Sequence, residues 1–456
     1  MNLLILLAAL LPWAVSPIDA FTRLFVAVSI LSIEMQLVTW AGTGSLSALV
    51  VVNVLVAAAL AGWQVARKKP LLGAWKSAIT PRVPLVVFAV LAALVLVLNA
   101  SLPLRAADSY HLERLAQIER LGTLEYDPAA DPKINIVGWL YELLLADARQ
   151  IPAIGPALVQ MHGVFGLLLY GLTLAAVFAL IEPPRMRWPM MALLMVPAVF
   201  HQLVLIKNDL FIAAPALVAL VWLVASGASG TWRQMVWAGW LVGLVVGYKL
   251  TNLPLAVLFA GAIVVATGGR DVRRLAAPAG GLLIGIATSG LLLTLWQNAT
   301  WYGGPFAAAP VAEMGNRTSG PAEAAESVAR FGISLFDLGF VTPRLWPGRG
   351  GWGGTFGLPF IWAVAVLVLY YRHAREARWA LALAGLHFIA YAAVFPDADI
   401  TQRIALAPAL LVIVIAVHLI GRPQKFAGAA RLALVPVLIL SAVQIVRSAA
   451  LYIVRA

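Results

Sequence analysis

The stretch PLVVFAVLAALVLVLNASLPL, residues 84–104, is followed at once by RAADSYHLERLAQIERLGTL, residues 105–124. The first stretch is uncharged and has the roughly 20 residues that a helix needs to cross a hydrocarbon core of about 30 Å. The second stretch is polar, and apolar residues recur in it at helical spacing, at Leu112, Leu115, Ile118 and Leu121. Together they predict a membrane span that leads into an amphipathic helix, Asp108–Leu121, lying on the membrane surface.

Apolar composition extends over the whole chain of 456 residues. Hydrophobic residues make up 62% of it and charged residues 11%, and the mean hydropathy is +0.92. Soluble proteins carry roughly 25% charged residues, so most of this chain must lie in lipid or against other buried helices. The alternation typical of barrel strands is absent, and there is no cysteine for disulfides or thiol chemistry. We therefore expect an all-α polytopic membrane protein.

Apolar runs of spanning length recur from end to end and predict about 13–14 transmembrane helices. They lie at residues 2–17, 20–41, 45–66, 84–104, 157–180, 188–206, 210–226, 235–252, 253–269, 276–300, 355–371, 379–395, 404–420 and 432–452. The first is short enough to be interfacial instead.

The chain divides into three parts on this basis. Residues 1–83 hold extra N-terminal helices, residues 84–420 form a core, and residues 421–456 add a C-terminal helix. Two long loops interrupt the core at 105–156 and 301–354. Within the first loop a second surface helix, Lys133–Ala148, is predicted, with Trp139 and Tyr141 as interfacial anchors.

Charge gives the orientation of these loops. One set holds eighteen Lys and Arg against four Asp and Glu residues, whereas the opposite set, which includes both long loops, is close to neutral. The positive-inside rule assigns the basic set to the cytoplasm. The net charge of +12 thus follows from topology, and no basic soluble patch suggests a nucleic acid partner.

Two carboxylates and two histidines in or near the spans need interpretation. Asp108 is either an N-cap or a catalytic group at the mouth of a span, and His111 follows one helical turn later. Glu34, alone in an early span, is expected to hydrogen-bond between helices. His201 is expected to be a buried, hydrogen-bonded histidine.

Each cationic residue near the outer end of a span has two possible roles. Lys207 and Asp209 form an outward turn, either as a snorkelling lysine with a helix cap or as part of a site. Lys249 either snorkels to the headgroups or holds a phosphate. Arg403 either pairs with acids of the preceding turn, Asp397 and Asp399, or faces a site.

Five motifs on the outward side resemble those of the GT-C glycosyltransferases. They are Asp108 after a span, the short loop Lys207–Asp209, the asparagine-bearing span end with its turn at Trp296–Phe306, the glycine-rich Gly350–Gly354, and Gln402-Arg403 followed by Pro408. Their order and shared sidedness carry the resemblance, which covers Pro84–Ile420. Ile404 departs from it, because an aromatic residue is usual there.

The resemblance implies an inverting transferase of a bacterial inner membrane, with its site facing the periplasm. It would move a sugar from a polyprenyl-monophosphate carrier to a glycan, lipid or protein. Asp108 would be the general base, with His111 and Asp209 orienting the acceptor or holding a divalent cation, and metal use stays open. The departing phosphate needs positive charge, for which the cations are Arg403, Lys249, Arg344 and Lys207.

Two other classes compete with this interpretation. An O-antigen ligase or polymerase, using undecaprenyl-diphosphate glycans, would suit the arginine-bearing loop 301–354. A lipid or solute transporter would also place charges at span ends, but would more often show inverted repeats. A nucleotide-driven pump is disfavoured, because the sequence has no Walker A pattern.

Overall fold

The computed structural model describes fourteen stretches of the chain. They are residues 2–42, 45–66, 82–101, 109–127, 140–149, 151, 153–181, 188–205, 208–267, 272–305, 320–335, 356–394, 404–422 and 426–454. Asp108, Lys207, Arg344 and Arg403 lie outside them, as do Asp397, Asp399 and Trp139.

The described chain is helical apart from turns and one isolated antiparallel bridge, between Ser45 and Thr123. The helices before residue 206 are α1 Asn2–Leu10, α2 Pro17–Trp40, α3 Leu46–Ala66, α4 Arg82–Ser101, α5 Ser109–Leu121, α6 Leu140–Arg149, α7 Gly155–Gln160, α8 His162–Leu180, α9 Met191–Leu194 and α10 Pro197–Val204. Those after residue 207 are α11 Asp209–Ser226, α12 Trp232–Tyr248, α13 Leu253–Thr267, α14 Val272–Ala287, α15 Leu291–Tyr302, α16 Pro321–Ser334, α17 Gly357–Tyr370, α18 Arg375–Val394, α19 Leu406–Ile420 and α20 Ala427–Val454.

Six of these helices are long and apolar enough to cross a membrane, judged by length and composition: α2, α3, α8, α11, α18 and α20. The bent pair α14–α15 makes a seventh if it is one span. The expectation of an all-α, multi-pass membrane protein is thus confirmed for the described residues. Five further predicted segments hold apolar helices of 10–17 residues, so the larger number of 13–14 spans stays a prediction.

Two stretches predicted as single spans are broken. Residues 188–206 form a 3-10 turn at Trp188–Met190 and then α9 and α10, with Val196 extended at φ −77° and ψ 115°. Val196 precedes Pro197, and proline disfavours helical backbone in the residue before it. Residues 276–300 bend by 56° between α14 and α15, where Gly290 has φ +87°. A left-handed residue cannot continue a helix.

The middle of the bundle is formed by α11 and α19, which pack on one another. Every residue of α19 is buried, and most of α11 is buried as well. Helices that are apolar on all sides belong inside a bundle or in lipid. By contrast α3 and α20 keep large apolar side chains on their outer surfaces, such as Leu55 and Leu432, as helices facing lipid do.

Glu34 shows how polar groups are accommodated between spans. The side-chain amide of Asn53 on α3 donates to Glu34 Oε2 on α2 at 2.8 Å, and both residues are buried. In lipid such a bond holds two helices together, because an unpaired carboxyl there is costly. The expectation of interhelical hydrogen bonding for Glu34 is confirmed.

The first long loop contains the two helices expected of it, with shifted bounds and a different inner face. The described part of the second helix is α6, Leu140–Arg149, and the first begins, as described, at Ser109. In α5 burial extends beyond the predicted apolar stripe, because Arg114 and Gln117 are buried beside Leu115 and Ile118. These residues face α6 and the adjacent 124–127 segment, so α5 is covered by protein on more than its leucine stripe.

Candidate functional site

Asp209 and Lys249 meet although forty residues separate them in sequence. Asp209 is the first residue of α11, and Lys249 is the extended residue that ends α12. The Lys249 Nζ lies 3.3 Å from Asp209 Oδ1, and the amide of Gln202 donates to Asp209 Oδ2 at 3.2 Å. The carboxylate is almost fully buried, while Lys249 is partly exposed. A carboxylate at a helix N-terminus is also favoured by the helix dipole.

A pocket opens beside this ion pair. The Tyr391 hydroxyl of α18 donates to Asn252 Oδ1 at 3.2 Å, and the Asn252 amide donates to the Lys249 carbonyl at 3.2 Å. The pocket is small, with a cavity volume of about 10 Å³, which is room for about one water molecule. Its apolar wall is formed by Ile212, Ala213, Ala216, Leu255, Ile404, Ala407 and Pro408. The Asp209–Lys249 ion pair and the Asn252 side chain thus lie next to an apolar wall.

Lys249 therefore turns inward onto Asp209 instead of reaching straight for the headgroups. An ammonium has three donors, so one bond to Asp209 leaves capacity for a second partner. Ile404, which borders the same pocket, directly follows Arg403 in the chain. The predicted role of Lys249 in holding a phosphate is compatible with this position and stays a prediction.

His111 forms a buried pair with Glu142. The His111 Nδ1 and Glu142 Oε1 are hydrogen-bonded across α5 and α6, and both side chains are almost completely buried. A carboxylate on Nδ1 fixes the imidazole tautomer and orientation. Sequence reasoning did not single out Glu142, although a carboxylate within the apolar run LYELLLADA is itself a signal of an inward polar contact.

Arg114, one turn after His111 in α5, places a guanidinium in the same buried region. Its guanidinium lies 5.6 Å from the centre of the Tyr126 ring and donates to Gln117 Oε1. Burial lowers the pKa of Arg114 to about 10, while Tyr126 and Glu142 act in the opposite direction. Burial also raises the pKa of Tyr126, whose hydroxyl donates to Asn298 Oδ1 on α15 at 2.8 Å. Asn298, part of a motif singled out in the sequence, thus anchors the first loop to the bundle.

Tyr141 joins the two parts of the site. Its ring lies between His111 and Phe211, with centroid distances of 6.2 Å to each, and Phe211 is two residues after Asp209. Burial raises the pKa of Tyr141, and the carboxylates of Glu142 and Asp209 raise it further. The Tyr141 ring thus packs on residues of α5 and α11, and its predicted role as an interfacial anchor stays a prediction.

Of the residues predicted for the site, Asp209 and Lys249 are in contact. His111 is linked to their end of the bundle only through the Tyr141 and Phe211 rings. Gln202, Asn252, Tyr391 and Glu142 join them without having been predicted. Among the described residues, no three His, Asp or Glu side chains gather as a set that could hold a metal ion. The arrangement offers proton acceptors, one partly exposed cation and hydroxyl-binding groups.

No protein-family model matches this sequence, and no curated protein is similar to it. The likeness to GT-C enzymes therefore rests on the five sequence motifs alone.

Proposed function

We propose that this protein is a GT-C-type glycosyltransferase that works on the outer side of a bacterial inner membrane. It would take a sugar from a polyprenyl-monophosphate carrier and transfer it, with inversion, to a hydroxyl of a glycan, lipid or protein. One observation carries the proposal. The loop helices that begin beside Asp108 pack, through Tyr141, on the same end of the bundle that holds Asp209, Lys249 and the pocket.

The reaction assigns a task to each group. The acceptor oxygen attacks the anomeric carbon, and its bond forms as the bond from that carbon to the phosphate oxygen breaks. Asp108 takes the proton of the acceptor hydroxyl, and the electron pair leaves with the polyprenyl monophosphate. Lys249, with Arg403 and the other outward cations, Lys207 and Arg344, would balance the charge on that phosphate.

Asp108→Asn tests the proposal most directly. Asparagine keeps the size and much of the capping ability of aspartate but cannot accept the proton. Purified protein in lipid vesicles would be supplied with radiolabelled undecaprenyl-monophosphate sugars and a cell-envelope acceptor fraction. We expect wild type to transfer sugar and Asp108→Asn to transfer it at least about 10²-fold more slowly. Glu125→Gln, at an exposed carboxylate of the same loop, is the matched control and should keep its activity.

Two results would contradict this proposal. One is transfer by Asp108→Asn at nearly the wild-type rate, with only a small loss of stability in Asp108→Ala of about 1 kcal/mol, as expected of a helix cap. The other is transfer only from undecaprenyl-diphosphate glycans, which would favour a ligase or polymerase.

A further inference from the structure

Tyr141 is held rigidly at the junction of the loop helices and the bundle. It is the second residue of α6, and its half-buried ring packs edge-on against His111 and at 43° to Phe211. Phe211 in turn contacts the Tyr248 ring at 5.1 Å, next to Lys249. A ring packed on two sides keeps its hydroxyl in one place, so the position of this phenol is set by the fold.

The carboxylates near Tyr141 already have partners. Glu142 accepts from His111, and Asp209 accepts from both Lys249 and Gln202. Their negative charge, added to burial, keeps the phenol in its protonated form at any working pH. Tyr141 therefore presents a neutral O–H group and not a phenolate.

Within the described part of the chain, the Tyr141 hydroxyl makes no hydrogen bond to another residue. The residue is only half-buried and its hydroxyl keeps some exposed surface, so a ligand can reach it. Three other interior tyrosines donate to groups of the fold: Tyr126 to Asn298, Tyr170 to the Leu193 carbonyl and Tyr391 to Asn252. The buried hydroxyls of Tyr248 and Tyr370, like that of Tyr141, make no hydrogen bond within the described residues.

We infer that Tyr141 donates a hydrogen bond to a hydroxyl of a sugar-containing acceptor bound between the loop helices and the start of α11. The inference takes its ligand class, a sugar, from the proposed function. Two neighbouring carboxylates repel an anion, so a phosphate does not suit this position. A sugar hydroxyl does suit it, because it can accept from the phenol and donate to a carboxylate oxygen. Tyr141 also lies on the helix pair whose first turn follows Asp108, the proposed base toward the acceptor.

Tyr141→Phe isolates the hydroxyl, because it keeps the ring and its contacts with His111 and Phe211. The probes are methyl glycosides of glucose, galactose, mannose, rhamnose and arabinose, whose binding to the full-length protein in detergent is followed by saturation-transfer NMR. We expect at least one to bind wild type and to bind Tyr141→Phe about 3- to 10-fold more weakly, as for one neutral hydrogen bond. Tyr371→Phe, at an exposed tyrosine in the turn between α17 and α18, is the matched control and should bind like wild type.

A kinetic measurement complements the binding. With the acceptor found active in the transfer assay, Tyr141→Phe should raise KM for the acceptor by about the same factor and leave kcat within about 2-fold. A purely structural role would instead lower thermal stability without changing KM.

The possible outcomes separate this inference from the proposed function. Equal glycoside affinities of wild type and Tyr141→Phe, or no binding of any glycoside to wild type, would overturn the inference. Binding that depends on Tyr141, in a protein that transfers no sugar from polyprenyl-monophosphate donors, would support the subsite and overturn the proposed reaction.

Discussion

Arg114 carries a positive charge into the interior between the loop helices and the bundle. Its side chain is 1% exposed, and it lies against the Tyr126 ring with Glu142 and Asp127 contributing favourable charge. Burying a guanidinium disfavours its charged form, and the surrounding negative charge offsets only part of that cost. The stability of this region should therefore depend on pH in a range where ordinary arginines do not titrate.

The sign of that dependence follows from the lowered pKa of Arg114. Below pH 10 the guanidinium is charged in both the folded and the unfolded chain, and the cost of burial is constant. Above about pH 10 the folded protein releases the proton while the unfolded chain still holds it, so stability rises with pH. Relative to Arg114→Leu, wild type should gain roughly 1 kcal/mol of unfolding free energy between pH 9.5 and 11.

Denaturant unfolding in detergent at several pH values would measure this difference. Arg120→Leu, which removes an exposed guanidinium one and a half turns away, is the control and should show no such slope. If the difference in unfolding free energy between wild type and Arg114→Leu does not change over this pH range, the guanidinium is not desolvated in the folded protein.

Sequence reasoning at this scale succeeded where a polar residue stood alone and failed where polar residues shared a helix. Glu34 is isolated in an apolar span, so only an interhelical bond could satisfy it, and Asn53 provides that bond. In α5 the polar residues cover most of the surface, and periodicity identified the leucine stripe alone. The positions of His111, Arg114 and Ile118, at intervals of three and four, would have shown a second inward face. The contacts of the Tyr141 ring with His111 and Phe211 were not predicted, because amphipathic rings near a span commonly suggest a membrane anchor.

Among the helices, α12 and α14 approach each other closely, at three glycines. A Cβ placed on Gly239 would lie 2.1 Å from the Pro278 carbonyl oxygen, and one on Gly243 would lie 2.2 Å from that of Leu282. Gly285 faces the Trp240 carbonyl oxygen in the same way, at 2.2 Å. The obstacle is backbone in each case and cannot rotate away. Small residues that let helix backbones approach are a common basis of helix association in membranes.

Gly243→Ala and Gly285→Ala should therefore force α12 and α14 apart. We expect each to lower the unfolding free energy by about 1–3 kcal/mol, as overpacking does. Gly280→Ala is a matched control on α14, because a Cβ there meets no atom within 4 Å. It should be neutral or stabilising by about 0.5–1 kcal/mol, since alanine favours helix over glycine. Thermal unfolding in detergent would decide, and equal stabilities of Gly243→Ala and Gly280→Ala would contradict the close approach.

The existence of each helix could be predicted from the length of its apolar run. Breaks within the helices were harder to predict. Every predicted segment overlaps a described helix, because about 20 apolar residues have few alternatives to a helix in lipid. The break before Pro197 was signalled by the proline itself. The 56° bend at Gly290 was not, because glycines are frequent in membrane helices and most leave them straight.

On the scale of the whole molecule, separate chain segments meet at one end of the bundle. The carboxylate of Asp147 on α6 accepts from the amides of Asn2 and Leu3 at the start of α1. The Leu46 amide at the start of α3 donates to the Gly122 carbonyl. With the Tyr126–Asn298 bond, these contacts tie the first loop to three helix ends. We expect this end to face outward, because the basic loops of the sequence lie at the other ends of these helices.

Basic side chains gather at the opposite end. The Arg375 guanidinium reaches the Ala225 carbonyl at 3.4 Å, Arg422 lies 3.8 Å from Glu376, and Arg431 donates to the Ile420 carbonyl at 2.9 Å. These arginines cap the C-terminal ends of α11 and α19, where positive charge complements the helix dipole. Arg375 and Arg431 thus cap the two central helices, and they also belong to the basic set from which the orientation is predicted.

Orientation can be measured directly, because the chain has no cysteine and is already a background for single-cysteine labelling. Glu125→Cys and Ala325→Cys, at exposed positions of the two long loops, should react with a membrane-impermeant maleimide in sealed right-side-out vesicles. Ser229→Cys and His373→Cys, in exposed turns at the basic end, should react only after the membrane is permeabilised. We expect this labelling pattern because the positive-inside rule places the basic loops in the cytoplasm and the nearly neutral loops outside.

Fusion reporters provide an independent check of the same orientation. A reporter after Lys69, Arg187, Arg274 or Arg375 should indicate the cytoplasm, and one near Gly122 or Gly320 the outside. The reversed pattern, with Ser229→Cys labelled in sealed vesicles and Glu125→Cys protected, would show that the protein has the opposite orientation in the membrane. Asp108, Tyr141 and the Asp209–Lys249 pocket would then face the cytoplasm. Extracytoplasmic sugar transfer would be excluded, although every side-chain contact described above would remain the same.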